Sequence, residues 1–153
     1  TLLKNDDVLR ERWDRAIDLA FQMSDNEQVK PGTRYDALRM VAMADWDRSR
    51  PMLEKYLAEG VHAELQMGAV SGLVDVPEPA ATELLLGAVK YLPARNRDLA
   101  LDGLLKSNER ISQFLQALES DGVDRESLGP ERWKLLQNHA DPSIRRRAAT
   151  LSN

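Results

Sequence analysis

Residues 37–44 read ALRMVAMA and residues 64–73 read ELQMGAVSGL, and overlaying the two decides the fold. In each, a leucine precedes an alanine by four positions: Leu38 with Ala42, Leu65 with Ala69. SIRRRAATL at 143–151 repeats the pairing as Ile144 with Ala148, and RDLALDGLL at 97–105, with Asn96 and Ala100, is a fainter copy. A spacing of four places both residues on one helical face. The small residue marks a place where a second helix approaches closely. Recurrence of such a unit is how stacked helical repeats write themselves, each pair leaving an apolar face that the next covers. The copies are 27, 31 and 48 residues apart. The last interval is too long for one pair, so the short helix around Trp133 is expected to be an inserted or degenerate member.

Apolar spacing elsewhere extends the pattern to about nine helices. A first helix is expected over Asp6–Met23, with Leu9, Trp13, Ile17, Ala20 and Phe21 on one face and Asp6 or Asp7 as its cap. Pro31-Gly32 reads as loop punctuation, Thr33 as the cap of a second helix to Ala44, and Ser49 as the cap of a third carrying Leu53, Tyr56 and Leu57. A fourth starts near His62, where Gly68 and Gly72 either permit close approach or weaken the helix. Leu84 to Val89 suggests a helix covered on more than one side. Pro93 suits a first turn, Asn108 a cap, Asp121-Gly122 a stop, Gly129-Pro130 the opening of a short helix with Trp133, Leu135 and Leu136. Asp141-Pro142 is a clean start signal. No stretch shows strand alternation with turn chemistry. The expected fold is all-α, an irregular HEAT/ARM-like α-solenoid with a right-handed superhelix, one domain over residues 1–153.

Composition bounds the function. At 153 residues, with 21 basic and 25 acidic residues and a net charge of -4, the chain has no general attraction for a polyanion. Nucleic acid is therefore not an expected partner, and the short apolar runs exclude direct membrane insertion. No cysteine is present, so disulfides, thiol catalysis, cysteine-ligated zinc and covalent haem attachment fall outside this segment. There is no signal-peptide pattern, and a start at Thr1 is what a mature product or an excised fragment would show.

Candidate sites are few. His62 and His139 lie far apart near helix boundaries, and no convergent ligand set accompanies them, so neither metal nor cofactor is expected. Asp45 and Asp47 flank Trp46 in a way superficially like a sugar-cleaving carboxylate pair, but capping and solvation account for them. No phosphate-cradling glycine loop or nucleophile elbow occurs. The run Arg145, Arg146, Arg147 fans out around a helix. Arg145 is expected to pair with an acid, Asp141 being the nearest, and the run otherwise offers a docking point for an acidic protein. Trp13 is expected in the core, and Met40 and Met43 in core gaps. Trp46 and Trp133, near repeat turns, are either core or protein contacts. Trp46, Trp133, Arg145 and Arg146 are thus the candidate contact residues, and no catalytic residue is assigned.

The C-terminal passage WKLLQNHADPSIRRRAATLSN, with Leu135-Leu136, Asn138-His139, Asp141-Pro142, Ile144-Arg145 and Arg147-Ala148, and with Leu128 to Arg132 leading into it, resembles a known segment. It is similar to the end of the HEAT-like region in large multidomain proteins of planctomycetes and related bacteria, labelled membrane-bound dehydrogenases or haem-binding proteins. The likeness covers about the last thirty residues and continues only at repeat level before them. It implies a propeller resembling sugar dehydrogenases upstream, a cytochrome c-type domain downstream, and a periplasmic or cell-envelope location. It implies no catalytic or haem-ligating residue here. The role it implies is a non-catalytic scaffold or spacer, whose partners are flanking domains of the same polypeptide or another protein. The alternative is a stand-alone protein- or peptide-binding module using a concave solenoid surface. An enzyme would need a deep pocket of convergent groups, and a DNA-glycosylase variant a strongly basic concave face with an aromatic base pocket.

Overall fold

A computed structural model describes residues 6–152. The fold is all-α, an irregular HEAT/ARM-like α-solenoid with nine α-helices and one 3-10 turn among the described residues. The chain divides into two compact units between Val76 and Pro77.

The first unit holds α1 (Asp7–Asp25), α2 (Pro31–Val41), α3 (Trp46–Leu57) and α4 (Ala63–Asp75). Of the two candidate aspartates Asp6 caps α1, its carboxylate accepting from the backbone N–H groups of Val8 and Leu9. Two starts differ from the sequence expectation. Pro31 is the first residue of α2 rather than loop punctuation, because the first turn needs no N–H from it. Thr33 is therefore inside α2. Likewise α3 begins at Trp46, which places Pro51 inside the helix and leaves Ser49 buried, its hydroxyl donating to the Trp46 carbonyl instead of capping. His62 does start α4, its Nδ1 accepting from the Glu64 N–H at 3.3 Å.

Packing follows the small residues. α1 pairs with α2, α3 with α4, and α2 lies along α4. Leu38 and Ala69 are fully buried at that seam. A Cβ added at Gly68 would stand 3.1 Å from the Cα and carbonyl oxygen of Tyr35, and one at Gly72 only 2.9 Å from the Ala42 Cβ. Gly68 and Gly72 are one helical turn apart, so both permit close approach. Three expectations need correction. Trp13 is half-buried and Leu9 is 40% exposed, and Met43, expected in a core gap, is 60% exposed, since it falls in the turn beyond α2.

The second unit holds α5 (Pro79–Ala88), α6 (Ala94–Leu104), α7 (Asn108–Glu119), a 3-10 turn (Arg125–Leu128), α8 (Gly129–Gln137) and α9 (Pro142–Leu151). Ser107, not Asn108, caps α7, its Oγ accepting from the Arg110 N–H. Asp141 caps α9 as expected. Only one face of α5 is covered: Leu85 and Ala88 are buried, Leu84 and Leu86 half-buried, Gly87 exposed. On α8 Leu136 is buried and Leu135 is 63% exposed, because neighbours in sequence point about 100° apart on a helix.

α8 forms a hairpin with α9, α9 lies along α7, and α7 along α5. This corrects the repeat phase. α8 is a regular member, the partner of α9. Buried Ile111 and Leu115 on α7 precede Ile144 and Ala148 on α9 by 33 residues, one repeat interval. The faint copy at Asn96 and Ala100, though buried, lies on α6, a helix of the other layer. The unmatched helix within this unit is α5.

The end of α7 is a Schellman motif: the Asp121 N–H donates to the Leu118 carbonyl and the Gly122 N–H to the Ala117 carbonyl. The left-handed residue is Asp121, with φ 56°, and not its glycine neighbour. Asp121→Gly is therefore expected to raise the unfolding free energy by about 0.5–1 kcal/mol. Urea titration reads this as a higher midpoint at unchanged slope, and an unchanged or lower midpoint would refute it.

Candidate functional site

Ion pairs between helices recur along each unit at separations of 28–34 residues. In the first, Arg48 on α3 reaches Asp18 on α1 at 2.6 Å and Lys55 reaches Asp25 at 2.8 Å, each pair 30 residues apart. In the second, Arg132 on α8 binds Asp102 and Asp98 on α6 at 2.8 and 3.2 Å, and its Nη1 donates to the Leu128 carbonyl. Arg147 on α9 forks onto both carboxylate oxygens of Glu119 on α7, at 2.7 and 3.0 Å, and also donates to Ser112. Each pair joins helices two apart in the chain, so successive hairpins are clipped through their side chains as well as through the core. The Arg147 hydrogen bonds hold the Glu119 carboxyl below its ordinary range, against a smaller upward push from burial.

The densest of these clusters lies in the first unit. Buried Arg34 donates from Nε to the Ser24 carbonyl at 2.9 Å and from Nη2 to the Tyr56 hydroxyl at 3.1 Å. The Tyr56 hydroxyl donates to Asp25 at 2.6 Å. A guanidinium at the carbonyl end of α1 also suits the negative end of the helix dipole. Burial pushes the Asp25 carboxyl upward, but its hydrogen bonds from Lys55 and Tyr56 outweigh that and hold it below the usual range. Burial and the bond to Asp25 push the Tyr56 hydroxyl up, and the bond to Asp25 raises Lys55. The cluster ties α1, α2 and α3 together. Its role is positioning the helices.

The residues read from sequence as contact points are placed as follows. Trp46 is half-buried at the first residue of α3, with the Arg50 guanidinium 5.9 Å from its ring centroid. Trp133 is half-buried on α8, its indole donating to the Arg125 carbonyl at 3.2 Å, and it lines a shallow depression with Glu126, Gln137 and Leu151. Arg145 does not pair with Asp141. It turns back to the carbonyls of His139 and Ala140 at 2.6 and 2.9 Å, in the connection between α8 and α9. Arg146 is exposed and makes no ion pair among the described residues. The arginine that reaches an acid of another helix is Arg147. Asp45 and Asp47 sit in the start of α3, and the Asp45 carbonyl accepts from Arg48 and Ser49. Among the described residues no three His, Cys, Asp or Glu side chains gather to hold a metal. No helix among them is long and apolar enough to cross a membrane.

Sequence reading missed one concavity. A recess of about 200 Å³ is lined by Leu86 and Val89 at the end of α5, Lys90 in the following turn, Arg97 on α6, and Gly122, Val123, Asp124 and Ser127 beyond α7. Lys90 is exposed and Arg97 half-buried, and neither has an ion-pair partner among the described residues. Lys90, Arg95 and Arg97 fall between Glu83 and the next acid, Asp98, which Arg132 already occupies. That run of bases was the signal available in the sequence. No protein-family model, curated protein or solved structure matches this chain.

Proposed function

We propose that this chain is a non-catalytic scaffold that holds protein partners at a defined spacing. The clips between helices two apart carry this reading: Asp18 to Arg48, Asp102 to Arg132 and Glu119 to Arg147 each lock one hairpin against the next. Individually such exposed pairs contribute about 0–1 kcal/mol. Their value here is geometric, since they oppose sliding and rotation between hairpins that already share a core. A solenoid-type helical architecture of this kind is typical of protein-interaction scaffolds. The finer assignment is a spacer between a dehydrogenase-like propeller and a cytochrome c-type domain of the same polypeptide, in or at the cell envelope. It rests on the resemblance of the last thirty or so residues.

Replacing residues 1–153 by a flexible linker of equal reach in the full-length protein tests the spacer role. Assembly and turnover are expected to fall together, and unchanged values for both would remove the role. The complete reading frame is expected to show a repetitive β region upstream and a CxxCH downstream. Without them the multidomain assignment goes and the fold stands. The second reading, a stand-alone peptide-binding module, is favoured by the recess around Lys90 and Arg97.

A further inference from the structure

We infer that the recess between α5, α6 and the loop after α7 binds an extended acidic segment of a partner protein, one acidic side chain flanked by aliphatic ones. The inference deepens the protein-contact reading and rests on it.

Charge is the first ground. Of the formal charge of -4, all resides in the first unit, with 10 basic and 14 acidic residues, whereas the second has 11 of each. In the second unit Asp98, Asp102 and Glu119 are held by Arg132 and Arg147. Three acids of this unit are thus engaged, and Asp124, the one acid in the lining of the recess, forms no ion pair with Lys90 or Arg97. A half-buried guanidinium without an anion has lost part of its hydration and gained nothing in exchange. An incoming carboxylate would supply the missing partner, and Arg would bind it through two parallel N–H groups.

Size and lining are the second ground. About 200 Å³ accommodates two side chains, and is smaller than the roughly 300–1,000 Å³ of cofactor and nucleotide sites. Leu86, Val89 and Val123 form an apolar floor, which a leucine or valine can use and a free phosphate cannot. Asp124 stands at the rim. Its Oδ1 accepts from the Glu126 N–H at 3.0 Å, which leaves Oδ2 to accept from a peptide N–H. The same carboxylate repels a dianion, so the pattern favours one carboxylate within a peptide over a phosphate group.

The test is a titration of the ¹⁵N-labelled 153-residue chain with the blocked peptide acetyl-GLELG-amide. Amide shifts are expected at residues 86–97 and 122–127, with a Kd on the order of 1 mM. The glutamine analogue, acetyl-GLQLG-amide, is expected to bind at least tenfold more weakly, as is the glutamate peptide to Arg97→Gln. Exposed Lys90→Gln, which threatens no packing, is expected to weaken it several-fold, and 0.5 M salt likewise. Equal binding of the two peptides, no effect of either substitution, or shifts confined to other residues would overturn the site. So would inorganic phosphate producing the same shifts at the same concentration, which would make this a simple anion pocket. Failure here with a positive linker replacement removes the recess and keeps the scaffold. Success here with a negative linker replacement removes the spacer role and keeps the peptide site.

Discussion

Gly72→Ala is expected to lower the unfolding free energy of the first unit by about 1–2 kcal/mol, even though alanine is the better helix former by about 1 kcal/mol. The added methyl would meet the Ala42 Cβ at 2.9 Å, the Leu38 carbonyl oxygen at 3.3 Å and Leu53 Cδ2 at 3.4 Å. Leu38 belongs to α2 and Ala42 is its C-cap, and neither contacting atom is the movable end of a flexible side chain. The helices must separate, and the fully buried Leu38, Leu53 and Leu73 around the seam lose contacts with them. Two controls isolate the cause. Gly87→Ala on α5 meets nothing within 4 Å, so it is expected to stabilise by about 0.5 kcal/mol, through helix propensity alone. Ala42→Gly in the Gly72→Ala background removes the closest atom and is expected to recover at least half of the loss, a coupling that a double-mutant cycle measures directly. Additive effects of the two substitutions would show that α2 and α4 do not meet at Gly72.

The second large effect lies at Arg34. Arg34→Met keeps most of the volume and removes the hydrogen bonds to the Ser24 carbonyl and the Tyr56 hydroxyl. A loss of about 2–3 kcal/mol is expected, since bonds to charged groups contribute about 1.5–3 kcal/mol and the acceptors are left with one donor fewer. The pH profile carries a separate signature. Asp25 is held below its ordinary range in the folded chain, so its contribution is complete above the unfolded pKa, about 4, and disappears as pH falls through the lower folded value. Lys55 and Tyr56 are held above theirs, so their contributions are complete below about 10 and disappear as pH rises through the folded values. Arg34 is one of the charges that lower Asp25. The Arg34→Met chain is therefore expected to show a shallower decline in stability below about pH 4 than the parent, and Asp25→Asn a shallower one still. A parallel acid limb in all three chains would place the network outside the energetics of folding.

How much of this was legible depended on the kind of interaction. Leu38, Leu65, Ala69, Ile144 and Ala148 lie in the core because apolar burial is non-directional and repeats with the helix, so it leaves a periodic trace in one dimension. Asp6 and Asp141 were equally readable, since a cap bonds only two or three residues along the chain. Thr33 and Ser49 failed as caps for a local reason. Each is a capping type placed just inside a helix that begins earlier, at Pro31 or Trp46, and composition does not say which of two neighbouring starts wins.

The candidate site was less legible. Arg145, Arg146 and Arg147 are indistinguishable as a run of letters, yet one folds back on two carbonyls, one meets solvent and one forks onto Glu119. Their difference is a matter of 100° steps around α9 and of which helix lies beside each. Within each unit, the helical class and the alternation of small and branched residues were written into the chain order, because they follow from neighbours three and four positions away. The partners of Arg132 and Arg147 were not, because a charged side chain chooses among acids about thirty residues off, and folding alone brings one of them within 3 Å.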